Sequence, residues 1–240
     1  MSAALAFILV VGVVAAWWLA RHGIMAKPWL EPGLPALPAP GPAGPVEAAA
    51  SLRRAKAGLV VFLGVAGSLF ALFVSAYLMR MGAADWWPLP LPRILWINTG
   101  LLMAGSLGLH GAQVATRHGS TAAMRQGLLL GGAAALAFLL GQILAWRELL
   151  AAGHGLAGNP AASFFYVLSG VHGLHVAGGL VALGHTTAWA WRDPGSARTR
   201  VLVELCATYW HFLLLVWLVL FGLLAGWAND FAEICRQVLS

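Results

Sequence analysis

The chain has 240 residues, of which 60% are hydrophobic and only 9% charged, and its mean hydropathy is +0.81. A soluble globular domain carries about a quarter charged residues, and disordered chains are poor in apolar ones, so both classes are excluded. The net charge of +6 comes from 14 Lys and Arg against 8 Asp and Glu; so small an excess in so apolar a chain is topological information, and no nucleic-acid partner is expected.

A hydrocarbon core of about 30 Å is crossed by about 20 apolar residues of helix. Six runs are suited to this: 3–20, 58–79, 94–116, 127–146, 163–191 and 201–227. Backbone groups in lipid must be satisfied within the segment, so each run is expected to be a helix. The expected fold is an all-α, polytopic membrane bundle of six transmembrane helices, one N-terminal helix followed by a block of five. The first run has no basic residue before it and no A-x-A cleavage site after its apolar stretch, and reads as a retained anchor, with a signal peptide as the weaker reading. Its segment is residues 1–27. Residues 28–57 then form a linker with Pro28, Pro32, Pro35, Pro38, Pro40, Pro42 and Pro45, a composition that gives extended chain without internal hydrogen bonds. The five-helix block occupies 58–227, and 228–240 is a tail. Pro88, Pro90 and Pro92, after Trp86 and Trp87, mark a short loop with interfacial aromatics. No repeat is visible, and Cys206 and Cys235 imply no disulfide framework.

Lys and Arg set the direction of the chain. Arg21, Lys27, Arg53, Arg54, Lys56, Arg117, Arg125, Arg192, Arg198 and Arg200 fall on one side, and Arg80, Arg93, Arg147 and Arg236 on the other. Positive-inside then makes the linker cytoplasmic and puts both termini and the tail outside, the periplasmic side if the membrane is the inner membrane of a bacterium, as expected here. Within the runs, Gly64, Gly67, Ser68, Gly105, Ser106, Gly108, Gly131, Gly132, Gly178 and Gly179 are suited to close helix packing.

Ionisable groups inside a bilayer are costly and therefore informative. The fourth run ends with Gln142, Arg147 and Glu148; the fifth carries His172, His175 and His185; the sixth carries Glu204 and His211. His172 and His175 lie about 60° apart around a helix, and Glu204 and His211 about 20°, so each pair shares a face. A cleft polar on both walls could form between these two helices. Such residues could bind a metal, bind haem, relay protons, or hydrogen-bond lipid headgroups and neighbouring helices. Stacked haems need histidines on one face, whereas His172 and His185 are about 140° apart. A metal needs three or four convergent ligands, and H-x-x-H alone is a weak signal. Ser169 lacks the glycine two places earlier that a G-x-S-G nucleophile site has. Interhelical hydrogen bonding and lipid contact are the plainer reading.

Two segments carry a resemblance. The fifth run contains Phe164-Phe165-Tyr166-Val167-Leu168-Ser169-Gly170-Val171-His172-Gly173-Leu174-His175-Val176. The sixth contains Glu204, then Tyr209-Trp210-His211-Phe212, then Trp217. These resemble the signatures of subunit III of haem–copper terminal oxidases, with support from Leu95-Trp96-Ile97-Asn98-Thr99 and from Gln142, Trp146, Arg147 and Glu148. The resemblance covers residues 58–227. It implies a non-catalytic accessory subunit of a proton-pumping oxidase that reduces oxygen to water, with no cofactor or metal of its own and no catalytic residue. It also implies haem and copper in partner subunits, subunit I as the main contact, subunit II and small membrane subunits nearby, and bound phospholipids. The polar residues His172, His175, Glu204, Tyr209, Trp210, His211, Arg147 and Glu148 would then line a structural or lipid-binding cleft and support proton uptake.

The chain departs from the family pattern in three places. Residues 62–73 hold no carboxylate, where the family commonly has one. Leu214 stands where an Asp often follows the YWHF motif. One helix precedes the block of five, where larger family members have two and shorter bacterial members none. The missing carboxylate leaves an accessory protein of nitric oxide reductase as the alternative function. An independent transporter or proton channel is the second alternative, against which stand the scarcity of charge and the absence of inverted repeats.

Overall fold

The structure is a computed structural model, and it describes residues 45–87, 89–156 and 158–226. Five helices make up these residues: α1 (Pro45–Arg80), α2 (Ile94–Arg117), α3 (Thr121–Ala151), α4 (Pro160–Arg192) and α5 (Ala197–Leu224). The all-α membrane class therefore holds, but the count among the described residues is five rather than six. The first expected span, 3–20, lies outside them, as do most of the linker and the tail. Residues 53–80 of α1, together with α3, α4 and α5, are long and apolar enough to cross a membrane. At 24 residues α2 is long enough too, but Asn98, Thr99, Ser106, His110 and Gln113 make it more polar.

The start of α1 differs from expectation. Hydropathy places it at Gly58, whereas the helix already runs from Pro45. Pro45 is its first residue, where a missing N–H costs no helical hydrogen bond. The following Glu-Ala-Ala-Ala and Arg-Arg-Ala-Lys-Ala stretches are strong helix formers that an apolar window overlooks.

The chain falls into two compact units, residues 1–66 and 67–240. In the second, α2 packs on α3 and α5, and α4 also packs on α3 and α5, so the four close into a ring. The α2–α3 and α4–α5 turns lie at one end of that ring, and the α3–α4 turn at the other. Sharp signals define the helix ends. Asn159 accepts from the Ala161 N–H at 3.0 Å, with Pro160 opening α4, and Ser196 accepts from the Thr199 N–H at 3.2 Å to open α5. Gly119 and Gly153 take positive φ after α2 and α3, a conformation that a Cβ disfavours.

On α2 the buried positions are Leu95, Asn98, Thr99, Leu102, Gly105, Ser106, Leu109, Ala112, Ala115 and Thr116. Their three- and four-residue spacing is one helical face, and it takes the polar residues inward with the apolar ones. The side of α3 pointing away from the ring is instead Leu129, Leu136, Leu140, Ile143 and Leu144, all exposed. Apolar surface of this kind is suited to hydrocarbon surroundings.

Candidate functional site

His172 sits in the middle of α4 and is fully buried. Its Nε2 lies 3.1 Å from the Leu213 carbonyl of α5. A carbonyl can only accept, so Nε2 donates, and Nδ1 is left buried without a hydrogen-bond partner. Trp217 and Phe138 pack on the ring with centroids 5.0 and 5.5 Å away, and Phe70 of α1 stands edge-on at 6.3 Å. A ring walled by aromatic side chains and fixed by one backbone carbonyl pins α4 to α5.

His175, one turn further, is half-buried. Its Nδ1 donates to the Val171 carbonyl of its own helix at 2.8 Å, and its ring meets Phe70 at 5.2 Å. The Tyr209 hydroxyl of α5 donates to the His175 carbonyl at 2.8 Å. Tyr209 reaches that carbonyl because Gly179 leaves room: a Cβ there would lie 2.6 Å from the Tyr209 ring and 3.3 Å from Trp210. Trp210 itself is buried.

His211 takes a different direction. Its Nδ1 is 2.5 Å from the Ser106 hydroxyl of α2, and its ring faces His110 at 5.8 Å. It therefore faces α2 and does not complete a wall with His172 and His175. Glu204 is half-buried near the α4–α5 end of the ring, and its backbone carbonyl accepts from the Thr208 hydroxyl at 2.9 Å. Arg147 and Glu148 are exposed in the last turns of α3, at the opposite end. Of the eight residues singled out from the sequence, His172, His175, Tyr209 and Trp210 are thus brought together. His211, Glu204 and the Arg147–Glu148 pair occupy three other places. Among the described residues no three His, Cys, Asp or Glu side chains gather as a metal site would require.

Several polar side chains that hold the ring together were not singled out from the sequence as site residues. The Trp217 indole donates to the Thr99 hydroxyl at 2.9 Å, joining α5 to α2. The Trp146 indole donates to the Ser169 hydroxyl at 3.0 Å, joining α3 to α4. Asn98 and Gln142, both buried, meet across α2 and α3 with 3.4 Å between Nδ2 and Oε1. Their shared signal was available: each is a polar residue inside an apolar run. What the sequence lacked was the partner, which lies 44 residues away for Asn98 and 118 for Trp217.

Outside the spans, Arg80 holds Asp85 through two hydrogen bonds, of 2.7 and 2.5 Å. That guanidinium keeps the Asp85 carboxyl below the usual carboxylate range. Asn159 donates to the Trp87 carbonyl at 2.7 Å, and the Trp86 ring stands edge-on to Tyr77 at 4.9 Å, so the loop after α1 is tied to the start of α4.

Comparison with known proteins matches residues 56–229 to the family described as cytochrome c oxidase subunit III. A cytochrome c oxidase subunit 3 from Thermostichus vulcanus is 36% identical over 177 residues, covering 70% of this chain and 84% of that protein. One from Synechocystis sp. is 34% identical over 174 residues, covering 68% and 72%. A probable cytochrome c oxidase subunit 3 from Mycobacterium bovis is 31% identical over 172 residues, covering 68% and 83%.

Proposed function

The chain belongs to the cytochrome c oxidase subunit III family, and from its place as an accessory subunit of a haem–copper oxidase we propose how it serves that complex. It is an integral membrane protein that braces the catalytic machinery and performs no redox chemistry itself. Subunit I is its main contact, with subunit II and small membrane subunits nearby, and these partners carry the haem and copper. Phospholipids fill the spaces between helices and partners. The complex sits in a bacterial inner membrane and pumps protons as it reduces oxygen to water. Both termini face the periplasm, and the turns carrying Arg117, Arg125, Arg192, Arg198 and Arg200 face the cytoplasm. Residues 1–27 anchor the chain, and the segment between residue 27 and the start of α1 connects that anchor to the five-helix block.

One observation carries this reading. Four polar side chains of the family motifs join helix to helix: His172 to the Leu213 carbonyl, Tyr209 to the His175 carbonyl, His211 to Ser106 and Trp217 to Thr99. Groups held this way set helix positions, and interhelical bonds of this kind contribute about 0.6–2 kcal/mol each. Glu204, also a motif residue, is a carboxyl half-buried near the α4–α5 end. We assign it to proton delivery on the cytoplasmic side. Glu204→Gln should slow proton uptake or hasten loss of activity during prolonged turnover, read by oxygen consumption over time; unchanged long-term turnover would remove the assignment.

Co-purification tests the reading as a whole. Tagged chain taken from membranes in mild detergent should bring down a large haem protein with an oxidase spectrum. Recovery of the chain alone, or of the chain carrying its own stoichiometric haem or copper, would overturn it.

A further inference from the structure

The outward side of α2 is built differently from that of α3. On α3 it is leucine and isoleucine. On α2 it runs through Gly100, Ala104, Leu107, His110 and Gly111, all exposed. These positions are three or four residues apart and share one face. Glycine weakens the interior of a helix, and in membranes it lets another backbone come close. Within this chain nothing comes close here: a Cβ on Gly100 or Gly111 would meet no atom within 4 Å. Gly127, Gly131 and Gly141 of α3 are the opposite case, since a Cβ on each would run into α2.

His110 adds a second, independent observation. About 10 Å of helix separates it from Arg117 at the end of α2, which puts it at the depth of hydrocarbon rather than of headgroups. Its ring faces His211 at 5.8 Å, a ring contact, while His211 itself is held by the Ser106 hydroxyl. Among the described residues no hydrogen bond or ion pair reaches His110. An exposed imidazole at that depth is costly unless something polar meets it from outside. The α4 face has open glycines too, Gly178 and Gly184, but its exposed His185 already accepts from the Trp189 indole at 3.1 Å. Charge says what would meet His110. The α2 helix contains no Asp or Glu, and exposed Arg117 and His118 follow His110 at its end. The complement of this face is an acidic acceptor, and at hydrocarbon depth it must be carried on another helix.

We propose that the outward face of α2 is the surface on which a transmembrane helix of a neighbouring subunit packs, close over Gly100, Ala104 and Gly111, with an Asp or Glu side chain accepting from His110. This deepens the accessory-subunit reading and rests on it only in needing a neighbour within the membrane. The leucine face of α3 needs no such neighbour.

The test places a photo-cross-linking amino acid at Leu107 in the full chain, in its native membrane, and at Leu140 of α3 for comparison. Cross-linked peptides are identified by mass spectrometry. At Leu107 the product should be an apolar transmembrane segment of another protein that contains Asp or Glu, and Leu140 should give no such peptide. His110→Leu should lower recovery of that partner with the tagged chain about three- to fifteenfold, the effect of one polar bond between membrane helices. His110→Gln keeps a donor and should restore most of it. Gly111→Leu enters open space in this chain, so the chain should accumulate normally while partner recovery falls. Lipid adducts alone at Leu107 would overturn the proposal. So would an adduct there to residues 3–20 of this chain, to a second copy of it, or to a segment without an acidic residue. Equal cross-linking at Leu140, or full recovery in both His110→Leu and Gly111→Leu, would overturn it as well. Haem separates this from the oxidase reading. A haem-free partner joined at Leu107 to an acidic transmembrane segment would remove that reading and keep the α2 face, whereas a co-purified haem protein without that adduct would do the reverse.

Discussion

The α2–α3 and α4–α5 contacts solve one problem by different means. Between α2 and α3 the backbones close in on glycine. A Cβ on Gly127 would strike the Gly108 carbonyl and come within 2.8 Å of the Ala112 side chain, one on Gly131 would meet Leu109 at 2.6 Å, and one on Gly141 would run into the Asn98 amide. Between α4 and α5 large side chains interlock through hydrogen bonds, with His172 on the Leu213 carbonyl and Tyr209 on the His175 carbonyl. Lipid is as apolar as leucine, so helices in a membrane gain little from hiding apolar surface and rely on close fit or on polar bonds. The first contact uses mainly fit and the second mainly bonds, and the two should fail differently when mutated.

Gly127→Leu should have the largest effect. The obstruction is backbone, which cannot step aside, so α2 and α3 must separate; a loss of about 3 kcal/mol or more is expected. The protein should fail to accumulate in membranes or melt far earlier in detergent. Normal accumulation and melting would show that the α2–α3 contact is looser than described. Gly179→Leu should cost less, about 1–3 kcal/mol, because it meets the ring of Tyr209, which can swing away. Thermal unfolding of Gly179→Leu with and without Tyr209→Phe separates lost fit from the lost bond to His175. Additive losses would contradict a shared contact.

Trp217→Phe should be milder still. It keeps an aromatic ring against Phe138 and removes the bond to Thr99, worth about 0.6–1.7 kcal/mol in a membrane. A loss as large as that of Gly127→Leu would mean that polar bonds, not fit, dominate both contacts. The exposed Arg80–Asp85 pair provides the smallest effect. Its guanidinium lowers the Asp85 pKa, so its support for the loop is present above the unperturbed carboxylate value and is lost as pH falls through the lowered one. Acid titration followed by Trp fluorescence should show the loop loosening only below the ordinary carboxylate range in the unaltered chain, and no such step in Asp85→Asn.

The same contrast explains what could be read before the structure. Apolar runs located the ends of α2, α4 and α5 to within four residues and those of α3 to within six, because the hydrocarbon slab imposes helix and length together. The start of α1 escaped because charged helix formers outside the slab leave no hydropathy signal. Helical angles placed His172 and His175 on one face correctly. Yet about 60° of rotation was enough to put the first in the core and the second at its edge. Glu204 and His211 share a face of α5, but α5 touches both α2 and α4, and a helical wheel names no neighbour. His211 consequently meets Ser106 rather than the α4 histidines. Asn98 and Gln142 were visible as residue types, while their pairing depends on two separate helices adopting one register.

The central claim is that this chain supports an oxidase without carrying its chemistry. The direct measurement is the haem spectrum and initial oxygen consumption of the complex assembled without it. We expect both to persist, with activity decaying faster during sustained turnover. Loss of haem or copper together with the chain, or abolished oxygen reduction in a complex that keeps its haem, would contradict the account.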